Sequence, residues 1–282
     1  MKPMNFKHLC SLLSLALAVS LSWLTPAAQR DLNDEVRDAF LVTRQKISAE
    51  AGSKPATSPR ATRRRSTGAR LSTGRIGLGY TLYKRDADGQ PVRISPAQEF
   101  HQGDAVRLVV EPNIDGYLYV FHTENDGPPE MIFPDARLHG GDNRVERHVP
   151  YEVPSSKETD PNFRWFIFNE NAAIERLYIV VTRRPLLGVP TGKVLTAHCR
   201  TRAGDCVWRP KETILSPLIA KVDAAVNVNQ SHEYGQALTA DEREAAERGL
   251  GLPPGAPVPS VVKMNQSLQA RMLVTLVSLV HK

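Results

Sequence analysis

Short runs of alternating apolar and polar residues recur between residues 77 and 185, separated by Gly, Pro, Asn and Asp. In one of these runs Val106, Leu108 and Val110 fall on the same face of an extended chain. A period of two is typical of a half-buried strand. We count about eight such runs, among them NRVERHVPYEVP at residues 143–154 and FRWFIFNE at residues 163–170, with turn residues between them and no convincing helix. The pattern predicts a β-sandwich or barrel, and we assign the fold class as mainly β, an antiparallel, immunoglobulin-like sandwich over residues 76–185.

The run YLYVFH at residues 117–122 is apolar on both faces, which predicts a central strand. An Asp-Gly pair at 115–116 and an Asn-Asp-Gly turn at 125–127 flank it, and turns favour these residues for conformational reasons unrelated to catalysis. The following EMIFP is predicted to return as its hairpin partner and to end at Pro134. At about 3.3 Å per residue the two acidic turns lie roughly 30 Å apart. That distance excludes a cooperating carboxylate pair within this strand.

Residues 86–89, with the sequence DADG, lie between two further alternating runs and predict another hairpin turn. The D-x-D-G pattern also resembles the start of a calcium loop. A calcium loop needs a third acidic position and a distal Glu, and both are missing here. We therefore expect a turn and no metal.

The first 28 residues have the pattern of a secretory signal peptide. Lys2 and Lys7 precede an apolar run at residues 9–24, and small residues follow the run as far as Ala28. We expect cleavage near Ala28 and export to the periplasm or the extracellular space, so that the mature chain does not span a membrane. The alternative is an uncleaved anchor, although the run is short and diluted by serines for a spanning helix.

Two segments of different character follow the predicted signal. Residues 29–50 place Leu32, Val36 and Phe40 at four-residue spacing, which predicts a short amphipathic helix that docks on the body or binds a partner. Residues 51–75 hold mainly Ser, Thr, Pro, Gly and Arg, with almost nothing to bury. Such a composition cannot offset the entropy of ordering, so it predicts a disordered basic linker.

The formal charge of +6 is concentrated in two segments. Of the 36 basic residues, two lie in residues 1–28 and seven in residues 51–75, and neither segment holds an acidic residue. The remaining chain has 27 basic and 30 acidic residues, so its surface is not basic. This distribution argues against a nucleic-acid-binding domain, and we predict no nucleic-acid partner.

Residues 186–282 form a mixed extension in which the only cysteines outside the predicted signal are Cys199 and Cys206. An even pair in an exported chain predicts a disulfide that closes a short loop. A zinc site that includes His198 and His232 is the alternative, but it lacks a second close pair of ligands. The disulfide is therefore our prediction.

The rest of the extension shows one helix signal and one strand signal. Thr239 and Glu242 have the spacing of a capping box, which predicts a short helix ending at Gly249. The closing run from Ala270 is too short to span a membrane, and its β-branched alternation predicts a strand that returns to the sheet.

GYLYVF, the Asn-Asp-Gly turn and the following IFP resemble, in order and spacing, a bacterial family known only as a domain of unknown function. NRVERHVPYEVP and ERLYIVVTR extend the resemblance over roughly residues 76–185, and the closing LVTLVSLVHK is similar to the terminal strand of secreted members. The resemblance implies a β-rich module of envelope proteins, some of them attached to caspase-like peptidases, protein kinases or curli-type secretion proteins. It implies no catalytic residue. The disulfide loop and the Arg-rich linker depart from the family pattern.

We expect an exported, non-enzymatic module that binds a protein or a polysaccharide of the bacterial cell envelope and needs no cofactor. Loops on a rigid sandwich are where binding sites concentrate. The candidate binding residues in these loops are Asn125, Asp126, Gly127, Pro134 and Asp135.

Two other functions remain open. A secreted hydrolase has no nucleophile elbow, metalloprotease motif or phosphate loop in its favour, and would need scattered side chains to converge. Those side chains are His122, His139, His148, Asp126 and Asp135. A structural adaptor would engage its partner through the N-terminal helix and the basic tether.

Overall fold

A computed structural model describes residues 34–44, 74–201 and 206–282. The predicted signal peptide and almost all of the predicted linker lie outside the described residues. Within the described ranges, no helix is long and apolar enough to cross a membrane.

The described chain forms two sheets, whose strands are numbered in chain order. The seven-stranded sheet contains β1 (Gly77–Arg85), β2 (Pro91–Ile94), β4 (Ala105–Pro112), β8 (Tyr151–Val153), β9 (Phe166–Ile167), β11 (Val226–Gln230) and β12 (Val261–Asn265). The six-stranded sheet contains β3 (Glu99–Phe100), β5 (Gly116–Glu124), β6 (Glu130–Phe133), β7 (Arg144–Val145), β10 (Ala173–Thr182) and β13 (Met272–His281).

The order of the first sheet is β11-β12-β1-β4-β8, with β2 also on β1 and β9 also on β4. The order of the second is β3-β13-β10-β5-β6, with β7 also on β5. All pairs are antiparallel except that of β3 with β13. The sheets bury a common core that includes Leu78, Leu108, Leu118, Ile179 and Val277. The mainly β, sandwich-like fold predicted from the alternation is therefore confirmed.

Helices cover the outer faces of both sheets. They are α1 (residues 34–44), α2 (Gly192–Thr201), α3 (Glu212–Ile219) and α4 (Ala240–Arg248), with short 3₁₀ helices at His139–Gly141 and Pro161–Phe163. The capping box of α4 is confirmed, and Gly249 ends the helix in the left-handed conformation.

The packing on the two sides of strand β5 explains why both of its faces are apolar. Leu118 and Val120 enter the core between the sheets. Tyr119 and Phe121 point the other way and pack in a second cluster with residues of α2 and α3, among them Leu195. The predicted central strand and its hairpin with β6 are both confirmed.

Four details differ from the sequence prediction. The run that contains Arg107 and Glu111 was predicted to be half-buried, yet both side chains are also buried, because other segments cover the outer face of β4. FRWFIFNE contains only the two-residue strand β9, because its first residue, Phe163, belongs to a 3₁₀ helix capped by Asp160. NRVERHVPYEVP divides into β7 and β8, which join different sheets. Between residues 77 and 185 there are ten strands instead of about eight.

Helices α2 and α3 were not predicted. The spacing of Leu195 and Cys199, four residues apart, is a helical signal in α2. In α3, Leu215 and Leu218 also have helical spacing, but Pro217 between them argues against a helix. The tertiary contact with the face of Tyr119 and Phe121 overrides that local preference.

Gly116, the first residue of β5, is required by a close approach of two strands. A β-carbon at this position would lie 2.4 Å from the backbone oxygen of Thr182. We expect Gly116→Ala to lower the free energy of unfolding by about 1–3 kcal/mol, the usual cost of overpacking. Urea denaturation measures this loss of unfolding free energy. Gly255→Ala is the matched control, because a β-carbon there meets open space, and an equal effect of the two changes would contradict the explanation.

Buried tyrosines make the fold sensitive to alkali. Burial raises the pKa of Tyr83 above its ordinary value, and the neighbouring Glu242, which accepts a hydrogen bond from the Tyr83 hydroxyl at 2.9 Å, raises it further. Burial is also the main cause of the raised pKa of Tyr80 and of Tyr151. A raised pKa favours the protonated form in the folded state, so this stability is complete below about pH 10 and is lost as the pH rises further.

We therefore expect unfolding above about pH 10, with tyrosinate absorbance rising as far-ultraviolet circular dichroism is lost. Tyr80→Phe removes one of the ionisable groups and should move the alkaline midpoint to higher pH. Full tyrosinate absorbance from a chain that keeps its circular dichroism would show that these hydroxyls do not resist ionisation.

Candidate functional site

A groove of about 690 Å³ lies along one edge of the sandwich. One wall comes from β6 of the six-stranded sheet, and the other from β8 and β9 of the seven-stranded sheet. Phe133 and Tyr151 contact each other from opposite sheets, with ring centroids 6.3 Å apart and an edge-to-face angle of 71°. The volume is that of a site for a small ligand or for part of a polymer.

Aromatic rings and prolines give the groove its apolar surface. The aromatic residues are Phe133, Tyr151, Phe163, Trp165 and Phe166, and the prolines are Pro134, Pro150 and Pro154. Pro134 and Pro154 follow the last residues of β6 and β8, each after a cis peptide bond. Proline lacks the backbone N–H that a ladder needs, so both strands end at the groove.

Two guanidinium groups lie over aromatic faces. The Arg137 guanidinium carbon is 4.4 Å from the Phe163 ring centroid, and that of Arg107 is 4.1 Å from the Trp165 centroid. Arg107 also donates to the backbone oxygen of Arg164 at 2.7 Å. Phe163 remains 50% exposed. The cations stack on the rings and fix their orientation, while half of the Phe163 surface stays open to a ligand.

Arg137 is held by carboxylates on both sides of it. Its Nε donates to the two oxygens of Asp135 at 3.0 and 3.1 Å, and it also lies 3.6 Å from Oε2 of the buried Glu158. The hydrogen bonds that Arg137 donates to Asp135 are the main cause of the raised pKa of Arg137, and nearby carboxylates add to it. This part of the wall is a rigid, planar array of donors and acceptors.

The formal charges of the lining nearly cancel. Its basic residues are Arg137, Arg144, Lys157 and Arg248, and its acidic residues are Asp135, Asp142, Glu146, Glu152 and Glu158. The groove therefore favours a neutral or mixed ligand over a strongly charged one.

The five candidate binding residues separate into two groups. Pro134 and Asp135 line the groove. Asn125, Asp126 and Gly127 lie outside its lining and form the turn after β5. There, Asn125 exchanges hydrogen bonds with the backbone of Ile174, through its N–H at 2.8 Å and its side-chain oxygen at 2.9 Å. The turn therefore joins β5 to β10.

The predicted disulfide between Cys199 and Cys206 is present, and Cys206 belongs to the groove lining. Among the described residues, no group of three or more His, Cys, Asp or Glu is arranged to hold a metal ion. The Asp86 carboxylate accepts from the backbone N–H groups of Asp88 and Gln90 at 3.0 and 2.7 Å, as in an ordinary turn.

The side chains considered for a hydrolase are not hydrogen-bonded to one another in the part of the chain that the structure describes. His122 pairs with Glu175 at 2.5 Å, and His148 pairs with Glu111 at 2.7 Å. Asp135 pairs with Arg137, Asp126 pairs with Arg176 at 3.3 Å, and His139 lies in the groove lining.

Sequence reasoning missed Phe163, Trp165 and Arg137, which line the groove, and Arg107, which stacks on Trp165 from behind the lining. The aromatic cluster was visible in the sequence but was assigned to an alternating strand. Phe163 is exposed as the last residue of the 3₁₀ helix, which replaces the start of the predicted strand. The partners of the rings come from separate segments, so no local spacing indicates them.

Together these features define a β-sandwich with an aromatic groove between the edges of its two sheets. Residues 99–185 match the model of a family described as "Domain of unknown function (DUF4384)". The match starts at β3 and ends after β10, so β6, β8 and β9 all lie within it. It supports the resemblance to a domain-of-unknown-function family, while residues 76–98 lie outside the matched range. Comparison with curated proteins and with solved structures returned no match.

Proposed function

We propose that this protein is an exported, non-enzymatic binding module whose aromatic groove holds a segment of a cell-envelope polysaccharide. The observation that carries the proposal is the half-exposed Phe163 ring, fixed beside the planar Asp135 and Arg137 groups. A sugar ring presents C–H groups on its face and hydroxyl groups around its rim. An aromatic face packs against the C–H groups, and fixed carboxylate and guanidinium groups form hydrogen bonds with the hydroxyl groups.

The charge and position of the groove support the same ligand class. Its nearly cancelling charges suit an uncharged polymer. It lies along an edge of the sandwich, where a long chain can enter and leave. Export rests on the signal-like pattern of the first 28 residues.

The placement of α1 favours a binding module over an adaptor. Val36 and Phe40 are buried against Val262 and Met264 of β12. The apolar side of the helix is therefore occupied by the body of the same chain and is not offered to a partner.

The test is binding of the purified chain to isolated envelope polysaccharide, measured by co-sedimentation and by calorimetry with soluble fragments. We expect saturable binding that Phe163→Ala weakens at least tenfold, a loss typical of a residue that dominates an interface. Ile167→Ala is the matched control, because Ile167 is 52% exposed but lies outside the groove lining.

Two results would overturn the proposal. One is equal binding by wild type and Phe163→Ala. The other is saturable binding of an envelope protein in the groove with no binding of any polysaccharide fragment. Turnover of a fragment by the purified chain would show an enzyme in place of a binding module.

A further inference from the structure

Three exposed segments meet at the end of the six-stranded sheet where β10 stops and β13 starts. The ladder between these strands runs to their ends, and beyond it the N–H of Arg183 donates to the backbone oxygen of Arg271 at 3.1 Å. The segment after α3 reaches the same end, because the N–H of Asp223 donates to the backbone oxygen of Val274 at 2.9 Å. We call this surface the basic end, and its three segments are residues 183–188, 219–222 and 266–271.

Each segment of the basic end exposes an apolar side chain. Leu187 is 94% exposed, Leu268 is 62% exposed and Ile219 is 41% exposed. The loop that carries Leu187 is anchored, since the N–H of Leu186 donates to the Tyr119 hydroxyl at 3.0 Å. Single exposed leucines are common on protein surfaces, whereas apolar side chains gathered at one end and surrounded by polar groups mark an interaction surface.

The charged side chains of the three segments are all positive. Arg184, Lys221 and Arg271 are exposed, and none of them takes part in an ion pair within the described part of the chain. The segments contain no acidic residue. Asp223, which follows the second segment, is neutralised by Lys263 at 2.7 Å. The basic end therefore attracts anions.

The most basic stretch of the sequence joins the fold at the same place. The backbone oxygen of Gly74 accepts a hydrogen bond from the Arg183 guanidinium. Residues 51–75, which lead up to this contact, contain seven basic residues and no acidic residue. The excess positive charge of the chain is thus attached to the basic end.

We propose that the basic end docks on the surface of an anionic lipid bilayer. Leu187 and Leu268 enter the boundary between headgroups and acyl chains, and the surrounding cations stay at the level of the phosphates. A bilayer uses both features of this surface. A free anion would gain nothing from the exposed leucines, and an acidic polysaccharide would leave them in water. No residue of the three segments lines the groove, so this inference is independent of the proposed function.

Vesicle co-sedimentation of residues 29–282 tests the proposal without a groove ligand, so the two proposals can fail separately. The probes are phosphatidylcholine vesicles with about one-third phosphatidylglycerol, and pure phosphatidylcholine vesicles for comparison. We expect binding to the anionic vesicles alone, and its loss at about 0.5 M salt, which screens the attraction.

A charge reversal identifies the surface that binds. Arg184→Glu should weaken vesicle binding roughly tenfold, because one cation near an anionic surface contributes about fivefold and the new carboxylate is repelled. Arg243→Glu is the matched control, since Arg243 is exposed on α4, where Glu242 binds Arg93 of the seven-stranded sheet. This variant has the same net charge and should bind nearly as well as the wild type.

A fluorescent label tests the insertion of the leucine. The only cysteines of residues 29–282 form a disulfide, so Leu187→Cys supplies a single free thiol for a polarity-sensitive fluorophore. Its emission should shift to the blue on anionic vesicles, whereas the same label on Ile167→Cys, exposed on β9, should not respond.

Four results would overturn the proposal. They are no binding to anionic vesicles, equal binding by the two glutamate variants, unshifted emission from the bound Leu187→Cys chain, and binding of an acidic polysaccharide or a protein at the basic end in place of vesicles.

Discussion

Replacing Glu111 with alanine is expected to lower the free energy of unfolding by about 3–5 kcal/mol, the usual cost of removing one partner from a buried ion pair. Glu111 lies on β4 and accepts hydrogen bonds from Arg44 of α1 at 2.6, 2.8 and 3.1 Å. Arg44 is itself buried and also donates to the backbone oxygen of Ala256 at 2.9 Å. Without the carboxylate, the guanidinium loses its counter-charge in a site with little access to water.

His148 extends the same network. Its Nδ1 lies 2.7 Å from a Glu111 oxygen, and its Nε2 lies 2.6 Å from the Thr43 hydroxyl. The edge of the Phe40 ring contacts its imidazole, with centroids 5.0 Å apart. Glu111 therefore joins α1, β4 and the loop before β8, and its loss is expected to release α1 from the sheet.

The loss of unfolding free energy in Glu111→Ala has an upper limit. Once α1 dissociates from the sheet, Arg44 is hydrated again and its buried charge no longer adds to the cost. Hydrogen exchange detects this release as faster exchange in residues 36–44, and urea denaturation measures the total loss. Glu244→Ala is the matched control. Its ion pair with Arg248 is solvent-exposed, so the loss should stay below about 1 kcal/mol. A Glu111→Ala variant as stable as this control would show that the buried pair does not hold the helix.

The second large effect is expected for Phe121→Ala, which should lower the free energy of unfolding by about 3–5 kcal/mol. The reason is that the substitution leaves a cavity beneath the helical layer. Phe121 is fully buried and packs with Leu195 of α2 and with Leu215 and Leu218 of α3. Its ring is parallel to that of Tyr119, with centroids 6.3 Å apart. The loss should appear in guanidinium denaturation, with near-ultraviolet circular dichroism changing as the packing loosens.

Phe163→Ala is the comparison that separates packing from ligand binding. The Phe163 ring is half-exposed in the groove, so its removal should change the free energy of unfolding by about 1 kcal/mol or less. Phe121→Ala should thus impair stability and Phe163→Ala should impair ligand binding. A small loss in Phe121→Ala, comparable with that of Phe163→Ala, would mean that α2 and α3 do not depend on this face of β5.

The elements that sequence reasoning predicted correctly are those specified by neighbouring residues. The hairpin of β1 and β2 follows from alternation and from the turn at residues 86–89, where Gly89 has the expected positive φ. The helix α4 follows from its capping box. The two apolar faces of β5 indicated a central strand. In each case the determinant is a dihedral preference or a periodicity within about ten residues.

The features that sequence reasoning missed join distant segments. Arg44 and Glu111 are 67 positions apart, and either one alone is an ordinary charged residue. The α3 helix contains a proline and forms because it covers Tyr119 and Phe121. No spacing in the sequence predicts such contacts, since they depend on which surfaces the chain brings together.

The sequence by itself determined most of the long strands and their turns, the disulfide pair and two of the residues that line the groove, Pro134 and Asp135. Only the tertiary structure decided that β6 and β8 end side by side, and that Arg107 and Arg137 lie over the rings of Trp165 and Phe163. The physical reason is the distance along the chain over which each kind of interaction acts. Backbone preferences act between neighbours in the chain, whereas a groove or a sheet edge arises from the order of strands, which packing of the whole core selects.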